Sequence, residues 1–551
     1  MVASSDSIKQ ELVLKLSPKD NVLVALSDLR KGDTITCSGS SYTLATDVPA
    51  KHKFATDNLA AGSNVTMYGV LVGKATKPIA QGEVLTPRNT HHEARPYHEK
   101  TEEYRWTPPD VSRWRKTTFR GYQRADGQVG TRNYWLVVPL VFCENRNIGV
   151  LKQALEEELG FAAPQIYRQQ VADLVRQYRT GGATVASGPP SPLPRVFKNI
   201  DGIKFLTHEG GCGGTREDSD NLCSLIAGYI HHPNVAGATI LSLGCQHSQV
   251  AILLEQIKKR DREFSKPLLL FEQQQSGSEL RMMSEAIRKT FAGLAEMDEN
   301  SRRTPAPVSR LCVGLKCGGS DGFSGISANP AIGHTSDILA ALGGRTILSE
   351  FPELCGVEQE LVNRSTSKEV ANHFIQLMRD YAARAKAVRS GFDMNPSPGN
   401  IRDGLVTDAM KSAGAAKKGG TSPVTAVLDY PEYSTEPGLN LQCTPGNDVE
   451  CVTAQVAAGA SIVLFTTGLG TPTGNPIAPV VKISTNSALA QRMPDIIDLD
   501  TGDIILGKTT VDEMGELILE RVVQVASGEM QTKAELLMQN DFIPWKRGVS
   551  L

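Results

Sequence analysis

Short runs of alternating apolar and polar residues fill the first hundred positions of the chain, and each run follows a turn that contains glycine. The turn recurs as LRKGD at 29–33, LAAGS at 59–63 and IAQGE at 79–83. Glycine permits the positive φ that such turns need, and alternation is typical of strands with one buried face. Residues 10–96 are therefore predicted to form a small β-rich unit of the clip or barrel type.

The pattern changes after a charged, proline-containing stretch at 97–118, which is predicted to be a linker. Apolar, β-branched runs then alternate with helical stretches, as in a parallel sheet covered by helices. The sequence predicts an α/β domain over 119–390, a Gly/Ser/Pro/Lys-rich connector over 391–423, a second α/β domain over 424–530 and a tail over 531–551. The predicted fold class is α/β, with a small β domain followed by two α/β units whose sheets are largely parallel.

Composition removes several classes of function. The 551 residues include 58 basic and 60 acidic side chains, for a net charge of −2, so the chain lacks the basic character of a nucleic-acid or anionic-lipid binder. It has no apolar run of about 18 residues, and its first residues lack the layout of a signal peptide. We expect a cytoplasmic protein with no nucleic-acid or membrane partner. Its ten cysteines are expected to be thiols or metal ligands and not disulfides.

Three of the apolar runs end in cysteines flanked by glycine, at Cys212, Cys245 and Cys317. Loops that follow parallel strands gather along the carboxyl edge of a sheet, so three cysteines far apart in sequence can converge there. Thiolates suit iron, zinc or an iron–sulfur cluster. The alternative is that these cysteines are small apolar residues packed at strand ends.

Three basic residues are candidates for proton transfer. His208 precedes Cys212 by four residues, and His52 lies in a KHKF segment of the β-rich unit; histidine can act as a ligand or a proton carrier near neutral pH. Lys316 directly precedes Cys317 and would serve as a base if burial lowered its pKa. For each of them, a solvated or hydrogen-bonded structural role is the alternative.

Two further segments have the chemistry of a site for a hydroxylated acid. The sequence FTTGLGTPTGN at 465–475 follows a predicted strand and offers hydroxyls and backbone N–H groups. It has neither the lysine of a P-loop nor the spacing of a dinucleotide-binding fingerprint. The segment 121–133 carries arginines that suit a carboxylate, or that form salt bridges in a structured turn.

Taken in order, these motifs resemble the altronate/galactarate dehydratase family from about residue 10 to 530, and most closely its altronate dehydratases. The similarity is carried by GYQRADG with GTRN at 121–133, the three glycine-flanked cysteines, CGGSD at 317–321, NPSPGN at 395–400 and FTTGLGTP at 465–472. The N-terminal unit resembles the SAF, β-clip domain that opens these enzymes, with His52 in its KHKF element.

The resemblance implies a hydro-lyase of hexuronate catabolism that converts D-altronate to 2-keto-3-deoxy-D-gluconate and water with the help of divalent iron. Manganese as a substitute and an iron–sulfur cluster stay open. Galactarate or another hydroxy acid is the alternative substrate, and a non-catalytic sugar-acid sensor is the alternative outside enzymes. Because metabolic enzymes are commonly homo-oligomers, a dimer is expected.

Dehydration removes a proton next to a carboxylate and expels a β-hydroxyl, which calls for a Lewis acid and for proton-transfer groups. The predicted metal ligands are Cys212, Cys245 and Cys317. The predicted acid/base residues are His208, His52 and Lys316. The predicted substrate-binding residues are Arg132, Asn133, Thr466, Thr467 and Thr471. The residues predicted to support the ligands, or to replace them with oxygen donors, are Asp321, Glu350 and Asp448.

Overall fold

A computed structural model describes residues 12–162, 166–181, 193–548 and 550. The chain divides into two compact units. The first unit comprises Met1–Gly121 with Thr304–Trp545, and the second comprises Tyr122–Arg303 with Lys546–Leu551. Among the described residues, no helix is long and apolar enough to cross a membrane.

The described residues in the N-terminal part of the first unit form short antiparallel strands. They are β1 (Val13–Leu14), β2 (Val22–Ala25), β3 (Thr34–Cys37), β4 (Ser40–Thr43), β5 (Lys53–Ala55), β6 (Asn64–Met67), β7 (Val70–Ala75) and β8 (Thr90–His91). They form the sheets β1-β2-β5, β3-β4 and β6-β7-β8, around a core that includes Leu23, Ile35 and Phe54. Gly82 has φ +78°, and a Cβ at this position would overlap the backbone at Thr43. The repeated turns therefore require glycine, as the pattern predicts.

The second unit contains a four-stranded parallel sheet with helices packed against it. Its elements and the strands at its borders are β9 (Thr118–Gln123), β10 (Val129–Gly130), β11 (Tyr134–Pro139), α1 (Asn145–Glu158), α2 (Ile166–Thr180), β12 (Gly202–Phe205), α3 (Arg216–His231), β13 (Val235–Ser242), α4 (Val250–Arg260), β14 (Leu268–Glu272), α5 (Glu279–Asn300) and β15 (Arg303–Pro307). The sheet order is β12-β11-β13-β14. Fully buried Trp135 lies at its centre and donates a hydrogen bond to Thr239.

A seven-stranded parallel sheet forms the larger part of the first unit. Its elements are β16 (Cys312–Cys317), α6 (Ala328–Ala341), β17 (Arg345–Leu348), α7 (Glu358–Arg364), α8 (Lys368–Ala387), α9 (Pro398–Arg402), α10 (Asp408–Ala415), β18 (Val424–Leu428), β19 (Gly438–Gln442), α11 (Asp448–Ala457), β20 (Ile462–Thr467), β21 (Val480–Ser484), α12 (Ser487–Arg492), β22 (Leu499–Asp500), α13 (Gly502–Ile505), α14 (Val511–Ala526) and α15 (Lys533–Leu536). The sheet order is β18-β19-β17-β16-β20-β21-β22.

The predicted fold class is confirmed, because a small β domain precedes two parallel α/β sheets. The division between the sheets lies near residue 303 and not at 390. In the seven-stranded sheet, β16 pairs with β20 and β17 pairs with β19. The predicted connector at 391–423 also differs from the structure, in which this segment contains helices α9 and α10. All eight residues of α10 are buried, so this segment belongs to the core around the site.

Candidate active site

The carboxyl end of β16 opens into a cavity of about 700 Å³ within the first unit. The cavity is lined by the loop 317–320, by Glu353, by Lys411 of α10 and by residues 446–449 at the start of α11. In open parallel sheets, this edge is where ligands bind. A Cβ at Gly318 would lie 2.6 Å from both carboxylate oxygens of Asp448, so glycine is needed where that carboxylate approaches the strand end.

Oppositely charged side chains meet beneath the cavity. Lys316 contacts Glu350 and lies 2.9 Å from Asp448 Oδ1. Lys418 Nζ lies 2.8 Å from Glu350 Oε2 and 2.7 Å from Cys317 Sγ. The Lys316, Lys418 and Glu350 side chains are fully or almost fully buried, whereas that of Asp448 is 28% exposed and faces the cavity.

A second ion pair completes this cluster. Lys411 Nζ lies 2.7 Å from Glu353 Oε1, and the Cys317 thiol donates to Glu353 Oε2 at 3.4 Å. Burial would raise the pKa of Glu353, but Lys411, Lys316 and Lys418 together lower it to about 2. Burial, and then the neighbouring Glu353, raise the pKa of Glu350. The carboxylate of Glu350 therefore binds a proton more tightly than that of Glu353 does.

The sequence predicts Lys316 as a base on the condition that burial lowers its pKa. Burial alone would lower its pKa, but the carboxylates of Asp448 and Glu350 raise it well above its usual value. This direction favours an ammonium that pairs with both carboxylates. Burial also raises the pKa of Cys317 to about 12, so its sulfur is a neutral thiol at neutral pH.

Cys317, Glu350 and Glu353 fit a divalent metal ion by donor type and spacing. One ligand atom from each lies within 4.8 Å of the others, and all three residues are buried. A sulfur with two carboxylate oxygens suits a metal such as iron or zinc. The Lys418 ammonium contacts two of these donors, Cys317 and Glu350, so a metal ion bound here would replace that ammonium and the thiol proton.

The other two predicted cysteine ligands lie in the second unit. Cys212 follows β12 and Cys245 follows β13, and both are exposed. The two loops meet, because the N–H groups of His247 and Ser248 both donate to the carbonyl of Gly211. Two of the three cysteine loops therefore share one edge of the four-stranded sheet, while Cys317 belongs to the seven-stranded sheet.

The two predicted histidines are held by the backbone. His208 Nε2 donates to the Pro139 carbonyl at 2.8 Å, and its Nδ1 accepts from the N–H of Gly210 at 3.1 Å. Burial lowers the pKa of His208, so the ring is neutral and uses both nitrogens to shape the loop before Cys212. His52 Nδ1 lies 3.3 Å from the Ala50 carbonyl, and burial lowers its pKa as well.

The segment around Arg132 supports the start of β11. Arg132 Nη1 donates to the carbonyl of Thr131. Asn133 donates to the carbonyl of Asn199 and accepts from Arg124. Both predicted residues are buried, so these contacts organise the strand start of the second unit.

The predicted threonines shape the loop after β20. Thr466 donates to Asn329 Oδ1 at 2.6 Å, and Thr467 Oγ1 accepts from the N–H groups of Gly470 and Thr471. The threonine of this loop that lines the cavity is Thr473, not one of the three predicted residues.

Predicted Asp321 joins the β-rich part of the first unit to its parallel sheet. Its carboxylate lies 3.0 Å from Lys51 Nζ, and it accepts hydrogen bonds from Thr485 and Asn486. Asp321 is fully buried. These contacts give Asp321 a structural anchoring role next to the cavity loop.

Sequence reasoning missed three residues of the site, Glu353, Lys411 and Lys418. Glu353 follows Glu350 by three residues, and this pair of carboxylates was the signal available. Lys411 and Lys418 lie in the segment predicted to be a connector. Asn395 of the NPSPGN motif accepts from Lys411 at 2.6 Å, which links a recognised motif to a missed residue.

Models of three families match successive parts of the chain. "Altronate/galactarate dehydratase SAF domain" matches 11–93, "D-galactarate dehydratase/Altronate hydrolase, second domain" matches 121–298, and "D-galactarate/Altronate dehydratase, C-terminal" matches 308–550. The matched ranges follow the two parallel sheets, with their boundary near residue 303.

Curated relatives agree with these matches over almost the whole chain. The altronate dehydratase of Bacillus subtilis (strain 168) is 33% identical and that of Escherichia coli (strain K12) is 34% identical, each over 98% of this chain and 99% of the relative. The galactarate dehydratase (L-threo-forming) of Escherichia coli (strain K12) is 29% identical over 94% of this chain and 93% of its own. The chain belongs to the altronate/galactarate dehydratase family.

Proposed function

We propose that this protein is a hydro-lyase that converts D-altronate to 2-keto-3-deoxy-D-gluconate and water. The observation that carries the proposal is the cavity at the end of β16, where Cys317, Glu353 and Asp448 face the same space. Two relatives named altronate dehydratase are 33% and 34% identical over 98% of the chain. Galactarate is the second candidate substrate, because a galactarate dehydratase is 29% identical.

Divalent iron is the proposed cofactor, with Cys317, Glu350 and Glu353 as its ligands. Bound there, it would act as a Lewis acid on the substrate's carboxylate and hydroxyl oxygens. Manganese as a substitute stays open. Cys212 and Cys245 stay predicted ligands on the exposed loops of the second unit, and an iron–sulfur cluster that uses them stays open as well.

We assign proton transfer to Asp448. Among the described residues that line the cavity, Asp448 and Glu353 are the two carboxylic acids, and Glu353 is a proposed ligand of the metal ion, which leaves Asp448 for this role. Lys316 holds Asp448 in place at 2.9 Å. Asp448 takes the proton from the carbon next to the substrate carboxylate, and that proton then leaves with the β-hydroxyl as water. The enol product becomes the 2-keto-3-deoxy acid.

Turnover of a substrate panel tests this assignment. Iron-loaded protein is incubated anaerobically with D-altronate, galactarate and other hydroxy acids, and the 2-keto-3-deoxy product is identified by mass spectrometry. We expect D-altronate to be dehydrated most efficiently. Binding of an acid without turnover of any acid would instead favour a sugar-acid sensor. The cytoplasmic location and the dimeric state remain predictions from the sequence.

A further inference from the structure

We propose that Lys411 binds the carboxylate of the substrate and that, as the only lysine or arginine among the described residues that line the cavity, it selects acids with one carboxylate over acids with two. This inference rests on the proposed function, which places the sugar acid in this cavity. It concerns a residue outside the predicted site and a property, the number of carboxylates, that separates altronate from galactarate.

The position of Lys411 suits an anion in the cavity. Its side chain is 9% exposed and reaches the cavity from α10. The ammonium donates to Glu353 Oε1 at 2.7 Å and to Asn395 Oδ1 at 2.6 Å. An ammonium has three N–H donors, so a third remains for a ligand.

The described residues of the cavity wall include no second cationic side chain for another carboxylate. Among the described residues that line it, Lys411 is the only lysine or arginine, and the acidic ones are Glu353 and Asp448. Lys316 and Lys418 are buried below the cavity and already contact Glu350, Asp448 and Cys317. Within this cluster, three ammonium groups face three carboxylates.

Two other parts of the wall also disfavour a second anion. At the start of α11, the N–H groups of Val449 and Glu450 are already bound by the side chain of Asn447. The end of α8 and the turn after it contribute Tyr381, Phe392 and Met394. These side chains can contact the carbon chain of a sugar acid, but a carboxylate against the Phe392 ring or against Met394 would lose water without gaining a partner.

Calorimetric binding to the iron-loaded full chain tests the inference directly. The probes are D-altronate, galactarate and D-altronamide, which keeps the hydroxyls but has no charge. Wild-type protein should bind D-altronate at least about tenfold more tightly than the other two, as expected for one charge-assisted hydrogen bond. Lys411→Met should weaken D-altronate binding by about 10- to 100-fold and leave the amide's affinity nearly unchanged.

Matched variants separate charge from folding. Lys411→Arg should keep most of the preference for the acid over the amide, because it keeps the cation. Lys368→Met removes an exposed lysine of α8 and should change neither affinity. Thermal unfolding of each variant shows whether it is folded, and the ratio of acid to amide affinity within one variant does not depend on the fraction that is folded.

The outcomes distinguish this inference from the proposed function. Equal binding of galactarate and D-altronate, or an unchanged acid-to-amide ratio in Lys411→Met, would overturn the inference while dehydration could still be observed. Failure of wild-type protein to bind D-altronate would overturn it as well. If D-altronate binds through Lys411 and is not dehydrated, the inference stands and the proposed function fails.

Discussion

The ammonium of Lys418 bridges the thiol of Cys317 and the carboxylate of Glu350, at distances of 2.7 and 2.8 Å. Burial alone would lower the pKa of Lys316 and of Lys418, but nearby acidic groups raise the pKa of both. The sequence analysis named Cys317, Lys316, Glu350 and Asp448 as site residues, but in separate roles and with no grouping among them. It could not give the charge state of Lys316, which depends on partners from distant strands and helices.

Removal of the bridging ammonium should favour a metal ion. In Lys418→Met, Glu350 loses one positive neighbour, so we expect anaerobic titration to show iron bound about tenfold more tightly, which corresponds to loss of one competing charge-assisted hydrogen bond. Lys417→Met, at the adjacent and only partly buried position, is the control. Weaker iron binding by Lys418→Met would contradict the placement of the metal at Cys317, Glu350 and Glu353.

Loss of the proposed base should affect turnover more than binding. Asp448→Asn keeps the shape of the side chain but removes its basicity, so we expect kcat to fall by about 100-fold or more while KM changes by only a few fold. Asp512→Asn alters an aspartate whose side chain is 77% exposed and should have wild-type kinetics. A kcat for Asp448→Asn near that of wild type would return the assignment to the predicted histidines.

Glu358 should make the stability of the fold depend on pH. Burial raises its pKa from 4.5 to about 7, so the folded state favours the protonated form. Its contribution is present below the unfolded pKa of 4.5 and is lost as the pH rises towards 7. We expect the slope of unfolding free energy against pH in this window, measured by urea denaturation, to become more positive in Glu358→Gln. An identical slope in the two proteins would be inconsistent with the raised pKa.

At the scale of elements, the site is formed by loops at the carboxyl ends of parallel strands and by α10. The loops after β16 and β20 were predictable because each combines an apolar run with glycine and a reactive or hydroxyl side chain. Helix α10 was not, because its residues 408–415 contain two glycine or serine positions and lie in a segment rich in residues typical of loops. Its helical structure is favoured by the Thr407 cap and by burial, which depends on distant parts of the chain.

The loop after β16 gives a prediction at this scale. In Gly318→Ala, the added methyl group would overlap Asp448 and the Phe465 ring, so we expect activity on the proposed substrate to fall at least tenfold, a loss typical of a small displacement of a positioned group. Gly149→Ala, in α1 where a Cβ meets no atom within 4 Å, should leave activity unchanged and stability equal or slightly higher. Full activity of Gly318→Ala would show that this contact does not position Asp448.

At the scale of the whole molecule, fold class was predictable and the membership of each sheet was not. Alternation of strand and helix patterns is local, and it correctly indicated two parallel α/β sheets after a small β domain. Whether β16 and β17 join the strands before them or those after them depends on pairing between residues far apart in the chain. That pairing places Cys317 in the seven-stranded sheet and Cys212 and Cys245 beside the four-stranded one, which spacing alone could not reveal.

Iron-dependent dehydration at the Cys317 cavity is tested most directly by one anaerobic turnover experiment. Wild-type and Cys317→Ser proteins, each chelated and then restored with iron, are given D-altronate, and product and bound iron are measured together. We expect 2-keto-3-deoxy-D-gluconate only from iron-restored wild type, and reduced iron and product in Cys317→Ser. Full activity and full iron content in Cys317→Ser, or no product from folded, iron-loaded wild type, would contradict the account.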